Sequence, residues 1–62
     1  MITVSVYYDN PDHDIVVCNV YNDSIKRDKN LFIFTCNKDD GNNMQVLINL
    51  EYVVRIVVSE EE

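Results

Sequence analysis

The sequence predicts an all-β domain, a five-stranded antiparallel meander that curls into a small barrel. Strongly apolar residues fall on even-numbered positions through five successive segments, which is the period-2 alternation of strands with one buried face. Clusters of Asp, Asn, Gly and Pro separate these segments. A chain of 62 residues makes one domain, near the lower size limit for a core that folds without staples. The even-numbered apolar residues are Ile2, Val4, Val6, Tyr8, Val16, Cys18, Val20, Phe32, Phe34, Cys36, Met44, Val46, Ile48, Leu50, Val54, Ile56 and Val58.

A polar turn separates the first two predicted strands. The first covers residues 2–8 and ends where Pro11 removes a backbone donor and the Asp and Asn residues beside it favour a turn. The second covers residues 14–21. The polar stretch 22–30 follows, with room for one helical turn at about 23–29. An open sheet carrying this turn is the alternative to the barrel.

Tight connections join the remaining strands. The Asp40-Gly41 pair is the clearest hairpin signal in the chain, because Gly readily adopts the positive φ that a tight turn requires. A second short connection at residues 50–52 leads into the last strand. The remaining predicted strands are 31–37, 44–49 and 53–58.

Cross-strand pairing is expected to place the apolar residues on one face. If the third and fourth strands pair around the Gly41 turn, Phe34 lies opposite Val46. If the second and third strands pair, Val20 lies opposite Phe32. Both registers keep their partners on the even-numbered face, so we expect the core there and the odd-numbered residues outside.

The last connection resembles part of a known family. The segment Ile48-Asn49-Leu50-Glu51-Tyr52-Val53-Val54 is similar to the end of an SH3 domain, where a short helical turn carrying Tyr-Val links the last two strands. The paired tryptophans that grip proline-rich ligands in that family are absent, as is the corresponding proline. The resemblance implies barrel topology. Because curling removes exposed sheet edges, the predicted architecture is an SH3-like or OB-like barrel.

Apolar residues also occupy odd-numbered positions on the second, third and fifth predicted strands. Such a patch is unusual on the surface of a small domain unless something covers it. We predict that it is an interface, either with a second copy of the chain in a homodimer or with a different protein. The candidate interface residues are Ile15, Val17, Tyr21, Leu31, Ile33, Val53 and Val57.

The chain is strongly acidic, with 11 Asp and Glu against 5 Lys and Arg and a net charge of −6. This balance opposes phosphate-backbone binding and favours basic partners or mimicry of a polyanion. A weak single-stranded nucleic-acid-binding barrel, with Tyr7, Tyr21 or Tyr52 for stacking, is the least favoured alternative. The candidate acidic rim consists of Asp9, Asp12, Asp14, Glu60, Glu61 and Glu62. Residues 1–59 form the expected domain and residues 60–62 an acidic tail.

Residues with catalytic or metal-binding chemistry are few. The sequence Asp12-His13-Asp14 contains the single His, but consecutive side chains on a loop diverge, so we predict a solvated turn. Cys18 and Cys36 both lie on the even-numbered face and are predicted to be buried free thiols. We therefore expect no enzyme activity, no metal and no cofactor.

The leading functional hypothesis is a small cytoplasmic protein-binding module. Ala and Trp are absent while Asn, Ile and Tyr, which have AT-rich codons, are frequent, and this composition suggests a phage or mobile element. An inhibitor of a host factor is the most concrete version of the hypothesis. The alternative is a structural homo-oligomeric subunit. No apolar run approaches the length of a membrane span, so no membrane contact is expected.

Overall fold

The computed structural model describes residues 1–38 and 41–60 and confirms the all-β class. The described residues form antiparallel strands in one sheet that curls into a half-barrel. Three single-turn 3-10 helices interrupt them, at Pro11–His13, Asn22–Ser24 and Leu50–Tyr52. No helix in this part of the chain is long and apolar enough to cross a membrane. The strands are β1 (Ile2–Tyr8), β2 (Ile15–Val20), β3 (Lys26–Asp28), β4 (Leu31–Asn37), β5 (Asn43–Asn49) and β6 (Val53–Glu60).

β1 and β4 are the two central strands of the half-barrel. β6 pairs with one edge of β1 and β2 with the other, so the last strand returns to the first as the barrel prediction required. β5 pairs with β4 along its whole length. The other edge of β4 is shared, because β3 pairs with its first residues and β2 with Cys36 near its end. The sheet therefore runs from β5 to β6.

The strand β3 lies where the sequence predicted a helical turn at 23–29. The helical geometry is limited to Asn22–Ser24, and Lys26–Asp28 then pairs antiparallel with β4. The Ser24 hydroxyl explains this early end. It donates to the Tyr21 carbonyl at 2.6 Å and accepts from the Thr35 N–H at 3.0 Å. These bonds tie the segment to β4, so the chain continues beside that strand.

The β4–β5 hairpin has the predicted register. Phe34 lies opposite Val46 and Phe32 opposite Ile48. At its turn Gly41 has a φ of 85°, and the Lys38 N–H donates to the Asn42 carbonyl at 2.8 Å. Residues 39 and 40 of this turn lie outside the described residues. The hairpin follows from local sequence alone because its strands are adjacent in the chain.

The predicted register between the second and third strands is wrong. Val20 lies opposite Cys36, not opposite Phe32. The position beside Phe32 is taken by Arg27 of β3, because the tethered loop forms a strand there. β2 consequently pairs mainly with β1.

A bulge at Asn19 reverses the phase of β2. Between the pairs Ile2–Val20 and Val4–Val17, β1 advances by two residues and β2 by three, and Asn19 takes a φ of 59°. Val17 therefore packs against the core, whereas the prediction placed it outside.

The same bulge explains why the predicted orientations of four residues of β2, 15–18, are all wrong. Ile15 follows Val17 onto the core side. Val16 is 65 % exposed and Cys18 is also exposed, although both were predicted to be buried. In β2 the even-numbered side chain faces the core after Asn19, at Val20, whereas before Asn19 the odd-numbered side chains face it.

A second irregularity changes the start of β6. Tyr7 pairs with Arg55 and Tyr8 with Val53, so β6 carries one extra residue at this point. Val53 packs against the core, and Val54, predicted to face it, is exposed. β6 also continues to Glu60, which lies opposite Ile2.

The core is small and lies inside the curl of the sheet. Phe34 is its largest fully buried side chain, with the Phe32 ring tilted beside it at 5.8 Å. The even-numbered prediction is confirmed through β1 and in much of β4, but Met44, beside the turn of the β4–β5 hairpin, is exposed. The buried residues are Ile2, Val4, Val6, Val20, Phe34, Cys36 and Ile48.

Candidate functional site

An open cleft of about 450 Å³ lies between the end of β1 and the second half of β5. We call it the tyrosine cleft. A volume in this range is typical of ligand-binding clefts. Its lining residues are Tyr8, Asp9, Asn10, His13, Leu47, Ile48, Asn49 and Tyr52.

One wall is the turn that follows β1. The Asn10 side chain accepts a hydrogen bond from the Asp12 N–H at 3.1 Å and caps the Pro11–His13 helix. A carboxylate oxygen of Asp14 accepts from the Tyr8 N–H at 2.8 Å. These bonds fold the turn back on β1 and hold the His13 ring edge-on to Tyr8, with the ring centroids 6.4 Å apart.

The other wall is built from β5 and the Leu50–Tyr52 helix. The Asn49 side chain caps this helix by accepting from the Glu51 N–H at 3.0 Å. The two walls are joined by the Asp9 N–H, which donates to the Tyr52 carbonyl at 3.0 Å. Tyr52 remains 63 % exposed and Leu47 55 % exposed. The cleft thus presents aromatic and aliphatic surface from a hydrogen-bonded frame.

The charge at the tyrosine cleft is negative. Asp9 lines it, and Asp12 and Glu51 belong to the two helical turns that form its walls. Among its described lining residues there is no Lys or Arg. A ligand that combines an apolar side chain with a positive charge would complement this surface.

A second cleft, of about 340 Å³, borders the first half of β6. We call it the arginine cleft, because both arginines of the chain line it. Leu50 contributes to this cleft and Tyr52 to the tyrosine cleft, so one helical turn separates the two. The lining residues are Arg27, Phe32, Leu50, Val53, Val54, Arg55 and Ile56.

Neither cleft is explained by similarity to a known protein. Comparison with protein-family models, curated proteins and solved structures gave no match. The functional argument therefore rests on the residues of the two clefts.

The predicted interface residues do not form one surface. Ile15, Val17 and Val53 pack against the core, because the two bulges turn them inward. Val57 belongs to β6 and lies opposite Ser5 of β1. In the sheet order β6 is three strands away from β4.

Three residues of the predicted interface do share one face. Leu31 and Ile33 both lie on the outer face of β4, and Ile33 lies opposite the exposed Leu47 of β5. Tyr21 reaches the same hairpin, where its hydroxyl donates to the Asn43 side chain at 3.1 Å. This part of the predicted patch is continuous with one wall of the tyrosine cleft through Leu47.

The predicted acidic rim is divided between the two ends of β1. Asp9, Asp12 and Asp14 follow its last residue, whereas Glu60 lies opposite its first residue, Ile2. Seven residues of strand separate the groups by about 20 Å. Glu61 and Glu62 lie outside the described residues.

The tyrosines proposed for base stacking point to different surfaces. The Arg55 guanidinium lies over the Tyr7 ring at 4.6 Å, Tyr21 bonds to Asn43 and Tyr52 lines the cleft. They do not form one platform. In the part of the chain that the structure describes, no three His, Cys, Asp or Glu side chains are grouped to hold a metal.

Sequence reasoning singled out Asp9, Tyr52 and Val53 as candidate functional residues but placed none of the three in a cleft. Tyr8 was counted as core and Leu47 as part of a solvated face, yet both line the tyrosine cleft. Arg27 and Arg55 are 28 positions apart, and only the curl of the sheet brings them together. The available signal was the placement of Tyr52 in a connection, where an aromatic side chain has few core neighbours.

Proposed function

We propose that this protein is a non-enzymatic binding module that holds a segment of a partner protein in the tyrosine cleft. The segment carries an apolar or aromatic side chain next to Lys or Arg. The observation that carries the proposal is the exposure of Tyr52 and Leu47 in a cleft that Asp9 also lines. Exposed aromatic side chains in a preformed cleft are typical anchors for protein recognition.

The geometry favours binding over catalysis. The His13 ring packs edge-on against Tyr8, and the carboxylate of Asp14 accepts from a backbone N–H. Both groups hold the wall of the cleft. The frame is fastened by backbone and capping hydrogen bonds, so little ordering is required when a partner binds.

The proposed polarity of the ligand follows from charge. The chain has a net charge of −6. Asp9 lines the tyrosine cleft, and Asp12 and Glu51 lie in the two helical turns beside it. Their attraction to a basic segment would speed association and weaken with added salt. The proposal thus gives part of the acidic character predicted from composition a role beside this cleft.

The test is selection of binding peptides from a random displayed library, followed by affinity measurement with the purified protein. Selected peptides should combine Lys or Arg with an aromatic or aliphatic residue. Tyr52→Ala should weaken their binding about tenfold or more, because it removes an exposed anchor. Asp9→Asn should weaken binding by about two- to fivefold and reduce its salt dependence.

The matched control is Asp23→Asn, which makes the same charge change at an exposed residue outside the cleft. It should leave affinity within about twofold of the unchanged protein. Acidic selected peptides, or equal loss in the Asp9 and Asp23 variants, would contradict the proposal. So would full affinity in Tyr52→Ala.

A further inference from the structure

Aromatic rings line both walls of the tyrosine cleft. On the wall formed by the turn after β1, the Tyr8 and His13 rings are nearly perpendicular, with an interplanar angle of 80° and their centroids 6.4 Å apart. Tyr52 belongs to the other wall, and its side chain is 63 % exposed. Because Tyr8 pairs with Val53, the residue after Tyr52, the backbones that carry the two tyrosines are neighbours. Three rings thus border one open space of about 450 Å³.

The hydrogen-bond acceptors of this frame are largely engaged within the chain. The side-chain carbonyls of Asn10 and Asn49 each accept from the backbone N–H two residues later. The Tyr52 carbonyl accepts from the Asp9 N–H. Asp9 is the one carboxylate among the described lining residues. A primary ammonium group brings three N–H donors that need acceptors once water leaves, whereas a quaternary ammonium brings none, so ring faces and one carboxylate suit the quaternary cation.

We propose that the tyrosine cleft binds the trimethylammonium group of a methylated lysine in the partner segment. The inference rests on the proposed function, in which a basic segment of a protein occupies this cleft, and it names the cation. The charged group lies between the rings of Tyr8, His13 and Tyr52, because the negative faces of aromatic rings attract cations. The Asp9 carboxylate supplies the opposite charge, and the aliphatic stem of the lysine lies along Leu47.

A lysine side chain fits this site better than a phosphocholine head group, which carries the same cation. Phosphocholine places a phosphate two carbons from the quaternary nitrogen, and the described lining contains no Lys or Arg to bind that phosphate. The Asp9 carboxylate would repel it. A methylated lysine has only an aliphatic stem at this position, which matches the apolar surface that Leu47 and Ile48 contribute.

The first experiment tests the cation alone and needs no partner. Tetramethylammonium chloride is titrated into the protein while the ring-proton NMR signals are followed, with sodium chloride at equal concentrations as the control for ionic strength. The signals of Tyr8, His13 and Tyr52 should shift in a saturable way, with a Kd of about 1–50 mM for so small a probe. No saturable shift of these rings up to about 100 mM, or equal shifts with sodium, would overturn the inference.

The second experiment compares three forms of one selected peptide. Its basic residue is made as lysine, as trimethyllysine, or as a neutral isostere in which carbon replaces the quaternary nitrogen. Trimethylation should strengthen binding about fivefold or more relative to lysine, and the neutral isostere should lose that gain, because it keeps the shape and removes the charge. Equal affinity of the trimethylated peptide and either other form would overturn the inference and leave the protein-binding proposal standing.

Three variants assign the preference to the ring of Tyr52, with circular dichroism showing that each keeps its fold. Tyr52→Phe keeps the ring and should leave the ratio of trimethyllysine to lysine affinity within about twofold, whereas Tyr52→Leu keeps an apolar side chain and should bring the ratio close to one. Tyr21→Leu makes the same change outside the cleft and should leave the ratio unchanged. An unchanged ratio in Tyr52→Leu would overturn the inference. Rings shifted by tetramethylammonium without any selected basic peptide would instead refute the partner segment and retain the cation site.

Discussion

The bulge at Asn19 predicts opposite effects on stability for the same substitution at two adjacent residues. The alternating pattern places Val16 in the core and Val17 outside, whereas the structure places Val17 against the core opposite Val4 and leaves Val16 exposed. Val17→Asp and Val16→Asp make the same chemical change one residue apart. The structure predicts that only the first strongly destabilises the domain.

The expected loss at Val17 has two parts. Removing a half-buried valine costs about 1–2 kcal/mol, and placing a carboxylate against the core costs about 1–3 kcal/mol more. The sum of about 2–5 kcal/mol is a large share of the roughly 3–9 kcal/mol expected for a domain of this size. Val16→Asp should change the free energy of unfolding by no more than about 0.5 kcal/mol.

The assay is thermal and urea unfolding followed by circular dichroism. Val17→Asp should lower Tm by about 10 °C or more, while Val16→Asp should lower it by less than about 4 °C. If Val17→Asp yields no folded protein, Val17→Ala and Val16→Ala repeat the comparison in a milder form. A larger loss at Val16 than at Val17 would refute the bulge and restore the simple alternation.

Two other predictions follow from single contacts. Ser24→Ala should cost about 1–3 kcal/mol of unfolding free energy, because the half-buried Thr35 N–H loses its acceptor, while Ser24→Thr keeps the hydroxyl and most of the stability; equal unfolding curves for both variants would contradict this. In a thiol-labelling assay on the native protein, Cys18 should react quickly and Cys36 only at the rate of unfolding, and protection of both thiols would contradict the exposed placement of Cys18.

Local pattern was sufficient to predict five of the six described strands, all except β3, and one hairpin. Alternation in β1 and β4 follows from the need to bury one face of a strand, and the core residues Val4, Val6 and Phe34 were predicted from it. The Gly41 turn set the register of β4 with β5 because a short loop leaves little freedom between adjacent strands. The helical turn before β6 was implied by the segment that resembles an SH3 domain.

The candidate site depended on contacts between distant residues. The tyrosine cleft forms where the turn after β1 meets the Leu50–Tyr52 helix, and the bond from Asp9 to the Tyr52 carbonyl spans most of the chain. No local sequence pattern indicates a contact between residues so far apart in the chain. The predicted acidic rim was divided for the same reason, since β1 separates its two groups.

By itself the sequence determined an acidic all-β chain with short turns, because alternation, turn residues and charge act over a few neighbours. Only the tertiary structure decided which side of β2 faces the core. Alternation repeats every two residues, so one extra residue at Asn19 turns the side chains of β2 before it to the opposite face. The same packing gathered two arginines into one cleft and two tyrosines into another, and the tyrosine cleft carries the proposed function.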